Sequence, residues 1–191
     1  MAGMAAERVE ADAGASVIGV SIPVPEPHAT HLQAKRASYG DPLARLVPPH
    51  VTLLGPTAVD ADERDSLVAH LEQVAARVSA FPMVLRGTGT FRPVSDVVFV
   101  QVARGISECE QLERAVRGER WGDPAAFPYH PHVTVAHDVP EDALDTAFDD
   151  LADWSVEFEV GGFHLYERRQ DGTWVPLREF ALAAAAVTGG R

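Results

Sequence analysis

Two short motifs of the same type lie 82 positions apart in this chain of 191 residues, His50-Val51-Thr52-Leu53 and His132-Val133-Thr134-Val135. We call them the first and the second motif. Each follows a proline and consists of a histidine, a valine, a threonine and an aliphatic residue. In a β-strand, residues two apart point to the same face, so each motif places an imidazole beside a hydroxyl and directs its first valine to the opposite face.

An imidazole and a neutral hydroxyl, each present twice, can open a cyclic phosphate. Hydrolysis needs a base that takes the proton of the attacking water and an acid that protonates the departing oxygen. Two histidines can share these tasks, because their unperturbed pKa of about 6.5 lets one be neutral while the other is charged. The threonines can donate hydrogen bonds to the non-bridging oxygens as negative charge gathers there. We expect no metal ion and no other cofactor.

The paired motifs resemble the signature of the 2H phosphoesterase superfamily, which includes the 2'-5' RNA ligase-like and cyclic nucleotide phosphodiesterase proteins. The resemblance covers residues 16–182 and includes Leu-Gly-Pro after the first motif and Phe-Arg-Pro before the apolar strand Val-Val-Phe-Val. It implies an α+β fold with a bilobal pseudo-two-fold duplication, in which two antiparallel sheets line a central cleft and the helices lie outside. It also implies site roles for four residues: His50 and His132 in catalysis, and Thr52 and Thr134 in phosphate binding.

Other interpretations of the histidines are a structural pair, a metal site and the histidine triad of nucleotide hydrolases. The run from His130 to His137 (HPHVTVAH) suggests the last two. A triad needs a histidine where Thr134 stands, and a zinc site would need a third ligand and would leave the first motif unexplained. A zinc hydrolase is therefore the third hypothesis.

Residues near the motifs are candidates for contacts with the substrate. Arg92 can grip a phosphate, and Phe127 and Tyr129 can stack on a nucleobase. His130 shares the face of His132 and is a candidate substrate-side residue. For Arg92, Phe127 and Tyr129, a place in the core or at the rim of the cleft is an equally good interpretation.

Hydrophobic periodicity and turn residues predict the elements that carry these groups. The predicted strands cover 15–23, 49–54, 82–91, 96–103, 131–135, 154–166 and 173–182, and the predicted helices cover 27–39, 60–80, 106–117 and 140–153. Gly55-Pro56 is predicted to close the strand of the first motif. Each half reads as strand, helix and hairpin, so the chain resembles two copies of one unit. We expect one bilobal domain over 15–182, with tails at 1–14 and 183–191.

Composition limits the partners. The 28 acidic and 16 basic residues give a formal net charge of -12, which argues against a protein that coats duplex nucleic acid. No apolar run is long enough to cross a membrane. The single Cys109 cannot form an internal disulfide, and with no secretion signal visible the expected location is the cytoplasm.

The leading prediction is a metal-independent phosphoesterase acting on a 2',3'-cyclic phosphate or 2'-5' phosphodiester of a small nucleotide, an RNA end or a related molecule. The resemblance assigns His132 as base and His50 as acid, although the two-fold arrangement makes the roles exchangeable. The motifs address the phosphate, so the attached group, the choice between hydrolysis and ligation, and the oligomeric state stay open. The alternative is a non-catalytic module that binds a nucleotide or RNA end in the same cleft.

Overall fold

The computed structural model describes residues 15–121 and 128–184, which form eight strands and four helices. The strands are β1 (Ala15–Pro23), β2 (His50–Asp60), β3 (Phe81–Thr90), β4 (Val97–Arg104), β5 (His132–His137), β6 (Ser155–Val160), β7 (Gly162–Arg168) and β8 (Trp174–Ala181). The helices are α1 (His28–Ser38), α2 (Arg64–Arg77), α3 (Ile106–Arg117) and α4 (Glu141–Asp150).

The strands form two antiparallel four-stranded sheets, in the orders β2-β1-β7-β8 and β5-β4-β3-β6. We call them sheet 1 and sheet 2. The predicted duplication is confirmed, and the repeated unit is strand, helix, motif strand, helix, which is β1-α1-β2-α2 in one copy and β4-α3-β5-α4 in the other. Both motif strands therefore occupy the equivalent edge of their sheet.

The two repeated units pack against each other. Helix α3 of the second unit contacts β2 of the first, and helix α1 of the first unit contacts β5 of the second. The valines of the motifs, Val51 and Val133, are buried in one continuous core together with Leu53 and Val135. The alternation predicted for the motif strands is thus confirmed. Burying the aliphatic face leaves the histidine and threonine of each motif on the opposite face of its strand.

The Gly55-Pro56 pair does not end the strand of the first motif, since β2 continues to Asp60 and pairs with β1 as far as Ala15. This correction has a simple reason: β2 is an edge strand, where proline is tolerated because one side of the strand forms no ladder. The register of the pairing between β1 and β2 shifts between Ile18 and Val20, opposite Gly55 and Pro56.

The predicted strand 154–166 is two strands that belong to different sheets. β6 pairs with β3 in sheet 2, and β7 pairs with β1 in sheet 1. The chain crosses between the sheets at Gly161 and Gly162, and a Cβ at Gly162 would lie only 2.7 Å from the carbonyl oxygen of Phe180. The hairpin around residues 170–172 is therefore formed by β7 and β8 alone.

The helices α2 and α4 are shorter than predicted, because residues 60–63 and 151–153 form the end of β2 and turns. No helix in the described ranges is long and apolar enough to cross a membrane. At the carboxyl end, the backbone of Ala183 still hydrogen-bonds with Val78 and Ala80. The predicted tail 1–14 and residues 185–191 lie outside the described residues.

Candidate active site

Both motif histidines are anchored in the same way. The Nδ1 of His50 donates to the carbonyl oxygen of Pro48 at 2.7 Å, and the Nδ1 of His132 donates to the carbonyl oxygen of His130 at 2.7 Å. A carbonyl only accepts, so each bond fixes the tautomer that carries its proton on Nδ1. The Nε2 atom of each neutral ring is then free of a proton and able to accept one.

In the first motif, the imidazole and the hydroxyl contact each other directly. The Nε2 of His50 lies 3.2 Å from the Oγ1 of Thr52. Since the Nδ1 proton is held by Pro48, the Thr52 hydroxyl donates to the bare Nε2 in the neutral state. Protonation of His50 would reverse this bond and release the hydroxyl proton of Thr52 for another acceptor.

The tertiary structure brings the two motifs together. Strands β2 and β5 pack against each other, and the Tyr129 hydroxyl, three residues before His132, donates to the carbonyl oxygen of Thr52 at 2.9 Å. His50 also contributes to lowering the pKa of His132, so the two imidazoles are close enough to repel each other when charged.

The pKa of both histidines is depressed. Burial of the ring is the largest cause of the fall in the pKa of His132 to about 4, and repulsion from His130 and His50 adds to it, while the hydrogen bond to the His130 carbonyl opposes it. Burial also lowers the pKa of His50, and the positive charge of Arg36 adds to the effect. Both rings are therefore neutral proton acceptors at neutral pH before an anion binds.

The influence of Arg36 on the site was missed at the level of sequence. Arg36 lies on α1, is 4% exposed, and its Nε donates to Asp41 Oδ2 at 2.7 Å. The other oxygen of Asp41 accepts the backbone N–H of Leu43 at 2.8 Å, which fixes the start of the segment leading to His50. The sequence offered one signal, an arginine one turn after Leu32 on the same helix face, but the spacing alone could not show its partner.

Three aromatic rings surround His132. The ring centroids of Phe91 and Phe99 each lie 5.0 Å from that of His132, and His130 stacks against His132 at 6.2 Å with an interplanar angle of 26°. Phe99 is buried, Phe91 is half-buried and His130 is exposed. We call Phe91, Phe99 and His130 the aromatic wall.

The other residues that were predicted to contact the substrate are Arg92, Phe127, Tyr129 and Thr134. Arg92 lies next to Phe91, and its guanidinium forms a 2.8 Å ion pair with Asp145 of α4. The Tyr129 ring packs against the core and its hydroxyl is engaged by Thr52, whereas Phe127 lies outside the described residues. Thr134 is half-buried on β5 and pairs with Phe99 across the sheet.

The side chains of His130, His132 and His137 do not form a metal site. His137 is buried at the end of β5, with its Nε2 3.5 Å from Asp138. Within the residues that the structure describes, no group of three or more histidine, cysteine or acidic side chains is arranged to hold a metal ion. Cys109 is buried in α3, and burial raises the pKa of its thiol to about 12.

The chain is similar to known proteins in sequence and in fold. The sequence profile of the 2'-5' RNA ligase superfamily matches residues 24–172. A Bacillus licheniformis protein, whose name assigns it provisionally to the phosphoesterases, is 30% identical over 146 residues, which are 75% of this chain and 86% of that protein. The fold is similar to that of E. coli LigT complexed with 3'-AMP, with a TM-score of 0.66 and 21% identity over 88% of this chain and 98% of LigT. LigT complexed with NADP+ gives a TM-score of 0.63 and 20% identity over the same shares.

The sequence profile runs from the residue after β1 to the turn between β7 and β8. That range includes both motifs and the strands β2 to β7. The chain therefore belongs to the 2'-5' RNA ligase superfamily of phosphoesterases.

Proposed function

We propose that this protein opens 2',3'-cyclic phosphates, or cleaves 2'-5' phosphodiesters, of nucleotides or RNA ends by general acid and base catalysis between His50 and His132. The observation that carries the proposal is the equivalent anchoring of the two rings. Each Nδ1 is held by the carbonyl two residues earlier at 2.7 Å, so each Nε2 is prepared to exchange a proton.

Two imidazoles suffice to balance the protons of the reaction. Water attacks phosphorus and its proton passes to the Nε2 of His132, while the bond from phosphorus to the departing ribose oxygen breaks and the Nε2 proton of His50 passes to that oxygen. The products are a phosphomonoester and a free hydroxyl. Each proton transfer contributes about 10²- to 10⁴-fold in rate, and neither step requires a metal ion.

The contact between His50 and Thr52 supports His50 as the acid. While His50 is neutral, the Thr52 hydroxyl donates to its Nε2. When His50 carries the proton that it will give to the leaving group, the same hydroxyl is released to donate to a non-bridging oxygen of the phosphate. Protonation of His50 and release of the Thr52 hydroxyl for phosphate binding thus occur together.

The environment of His132 supports its role as the base. Its pKa of about 4 keeps it neutral in the free protein, and the aromatic wall contributes to its burial. An anionic phosphate in the cleft would raise the pKa of both rings, which prepares His50 to hold a proton and His132 to receive one.

The nucleotide class of substrate draws on a protein of similar fold. E. coli LigT has been crystallised with 3'-AMP and with NADP+, both of which are nucleotides. The net charge of -12 favours a small phosphorylated compound or an RNA end over a long duplex. The single buried thiol fits the reducing cytoplasm, which remains the expected location.

The direct test incubates the purified protein with adenosine 2',3'-cyclic phosphate and with a 2'-5' linked diadenylate, and identifies the products by chromatography. We expect a monophosphate product in the presence of a metal chelator. His50→Ala and His132→Ala should each remove nearly all turnover and leave the circular dichroism spectrum unchanged.

The matched control is His31→Ala, because His31 is exposed and its ring stacks on Trp154, outside both motifs. This variant should keep full activity. Full activity of His50→Ala would contradict the paired mechanism, and tight binding by calorimetry without any product would favour a non-catalytic binding module.

A further inference from the structure

Sheet 1 carries a row of polar residues that begins at the first motif. Thr52 on β2 pairs with Ser21 on β1, Ser21 pairs with His164 on β7, and His164 pairs with Glu179 on β8. Directly paired residues of antiparallel strands point to the same face, so all of these side chains lie on the face of the Thr52 hydroxyl. We call Ser21, His164 and Glu179, together with Tyr166, the polar row.

The inner part of the polar row is buried and fixed. Ser21 and Tyr166 are each 7% exposed, and their hydroxyls are hydrogen-bonded to each other. The Tyr166 ring stacks on the His164 ring at a centroid distance of 5.8 Å and an interplanar angle of 29°. The imidazole of His164 is therefore supported by a buried neighbour on the rigid sheet.

The outer part of the polar row is open to a ligand. The side chain of His164 is 24% exposed and that of Glu179 is 69% exposed. The Nε2 of His164 lies 3.9 Å from a carboxylate oxygen of Glu179, which is too long for a hydrogen bond. Each group therefore keeps hydrogen-bonding capacity for a third group. A hydroxyl suits both, because it can accept from an imidazole N–H and donate to a carboxylate at the same time.

In the proposed reaction, the departing alcohol leaves on the side of sheet 1, because His50, which protonates the departing oxygen, belongs to β2. Neighbouring strands lie about 4.8 Å apart, so His164 is about 10 Å from Thr52 across the sheet. A ribose esterified through its 5'-oxygen directs its 2'- and 3'-hydroxyls away from the phosphorus. The reach of the imidazole covers the rest of this distance.

We infer that the polar row is a binding subsite for the 2'- and 3'-hydroxyls of a sugar in the departing group. The ligand class is then phosphodiesters whose departing alcohol is a ribose with a free cis diol, in preference to diesters whose departing group lacks these hydroxyls. This inference rests on the proposed function and refines it, because it adds a recognised group on the departing side of the phosphorus.

The chemistry of the polar row favours a neutral diol over a second phosphate. The Glu179 carboxylate would repel an anion placed beside His164, whereas it can accept a charge-assisted hydrogen bond from a hydroxyl. In sheet 2 the equivalent row from Thr134 contains Phe99 and Gly89, whose side chains form no hydrogen bonds. A diol therefore gains most when it lies over sheet 1.

The experiment compares two diesters with the same reacting centre and the same bases. One is the 2'-5' linked diadenylate, and the other is its analogue in which 2',3'-dideoxyadenosine replaces the departing adenosine. We expect kcat/KM to be about tenfold higher for the diester with the diol, mainly through KM, because the analogue cannot form these hydrogen bonds. Calorimetry with the His132→Ala variant, which should not turn the diesters over, should give a similar ratio of Kd values.

Variants of His164 and Glu179 test the cause. His164→Leu removes the ring nitrogens and should reduce the ratio of kcat/KM between the two diesters from about tenfold to near unity, as should Glu179→Ala. His164→Asn keeps an N–H donor and should retain part of the preference. The control is His31→Ala, whose ring stacks on Trp154 outside the polar row, and it should leave the ratio unchanged. The ratio does not depend on the folded fraction, because both diesters meet the same preparation.

Two results would overturn the inference. One is equal kcat/KM and equal Kd for the two diesters. The other is a preference for the diol that His164→Leu and Glu179→Ala both leave unchanged. Failure of the proposed function is distinguishable, because the wild-type protein would then hydrolyse neither diester, while the two Kd values would still show whether the diol is recognised.

Discussion

The hydroxyl of Tyr129 donates a 2.9 Å hydrogen bond to the carbonyl oxygen of Thr52 and so joins the two motifs across the pseudo-two-fold axis. Tyr129 precedes His132 by three residues, and Thr52 follows His50 by two. The acceptor lies on an edge strand, and burial of the ring raises the pKa of Tyr129 well above its usual value, so the hydroxyl remains a donor. This bond is placed to set the spacing between the two imidazoles.

Replacing Tyr129 by phenylalanine removes only that hydroxyl. We expect the free energy of unfolding to fall by about 1 kcal/mol, because one hydrogen bond is lost. We also expect kcat to fall by about tenfold, because a displacement of about 1 Å between reacting groups can cost about 100-fold in rate. Urea unfolding and steady-state kinetics measure the two effects.

Tyr39 provides the matched control. Its hydroxyl also joins distant segments, donating to Asp150 Oδ2 at 2.7 Å, but it contacts neither motif. Tyr39→Phe should reduce stability and leave kcat unchanged. If both tyrosine variants reduced kcat equally, the bond from Tyr129 would have no special positioning role.

The depressed histidine pKa values predict an acidic optimum for kcat/KM. In the free protein the base His132 must be neutral, and its pKa of about 4 means that this holds above about pH 4. The acid His50 must be protonated. Because the pKa of His50 is lowered, this requires a pH below the ordinary histidine value of about 6.5. The profile of kcat/KM should therefore be bell-shaped with its maximum between these limits. The profile of kcat should lie at higher pH, because bound phosphate raises both pKa values. A maximum of kcat/KM above pH 7 would contradict this assignment.

The buried pair of Arg36 and Asp41 should affect both stability and the titration of His50. Arg36→Met leaves the Asp41 carboxylate buried without its cation, which costs about 3–5 kcal/mol of unfolding free energy. The double variant Arg36→Met/Asp41→Asn should recover part of that loss. Because Arg36 lowers the pKa of His50, its removal should shift the acidic optimum of kcat/KM to higher pH. An unshifted optimum in the single variant Arg36→Met would show that Arg36 has no electrostatic effect on the site.

Gly89 should be intolerant of a side chain. An added Cβ would lie 2.6 Å from two atoms of the buried Phe99 ring, so Gly89→Ala should cost about 1–3 kcal/mol in unfolding free energy. Gly161→Ala is the control, since no atom lies within 4 Å of the Cβ it would add. Thermal unfolding that is equal in the two variants would mean that Phe99 does not occupy the space above Gly89.

The sequence by itself determined the elements that carry the chemistry. Strand β1 and helix α3 have the predicted bounds, and the alternation of the motifs correctly assigned the valines to the core. These features are local, because the period of two along a strand and the period of 3.6 along a helix depend only on neighbouring residues. The pair of histidine and threonine motifs was visible for the same reason.

The tertiary structure alone decided which strands share a sheet and what surrounds each histidine. The crossing at Gly161, the hydrogen bond from Tyr129 to Thr52 and the ion pair of Arg36 with Asp41 all depend on where the chain turns and meets itself. The pairing of Thr52 with Ser21 and of Thr134 with Phe99 also emerges only from strand register. Register is set by the burial of whole strands against a shared core, so it joins residues whose separation along the chain carries no local signal.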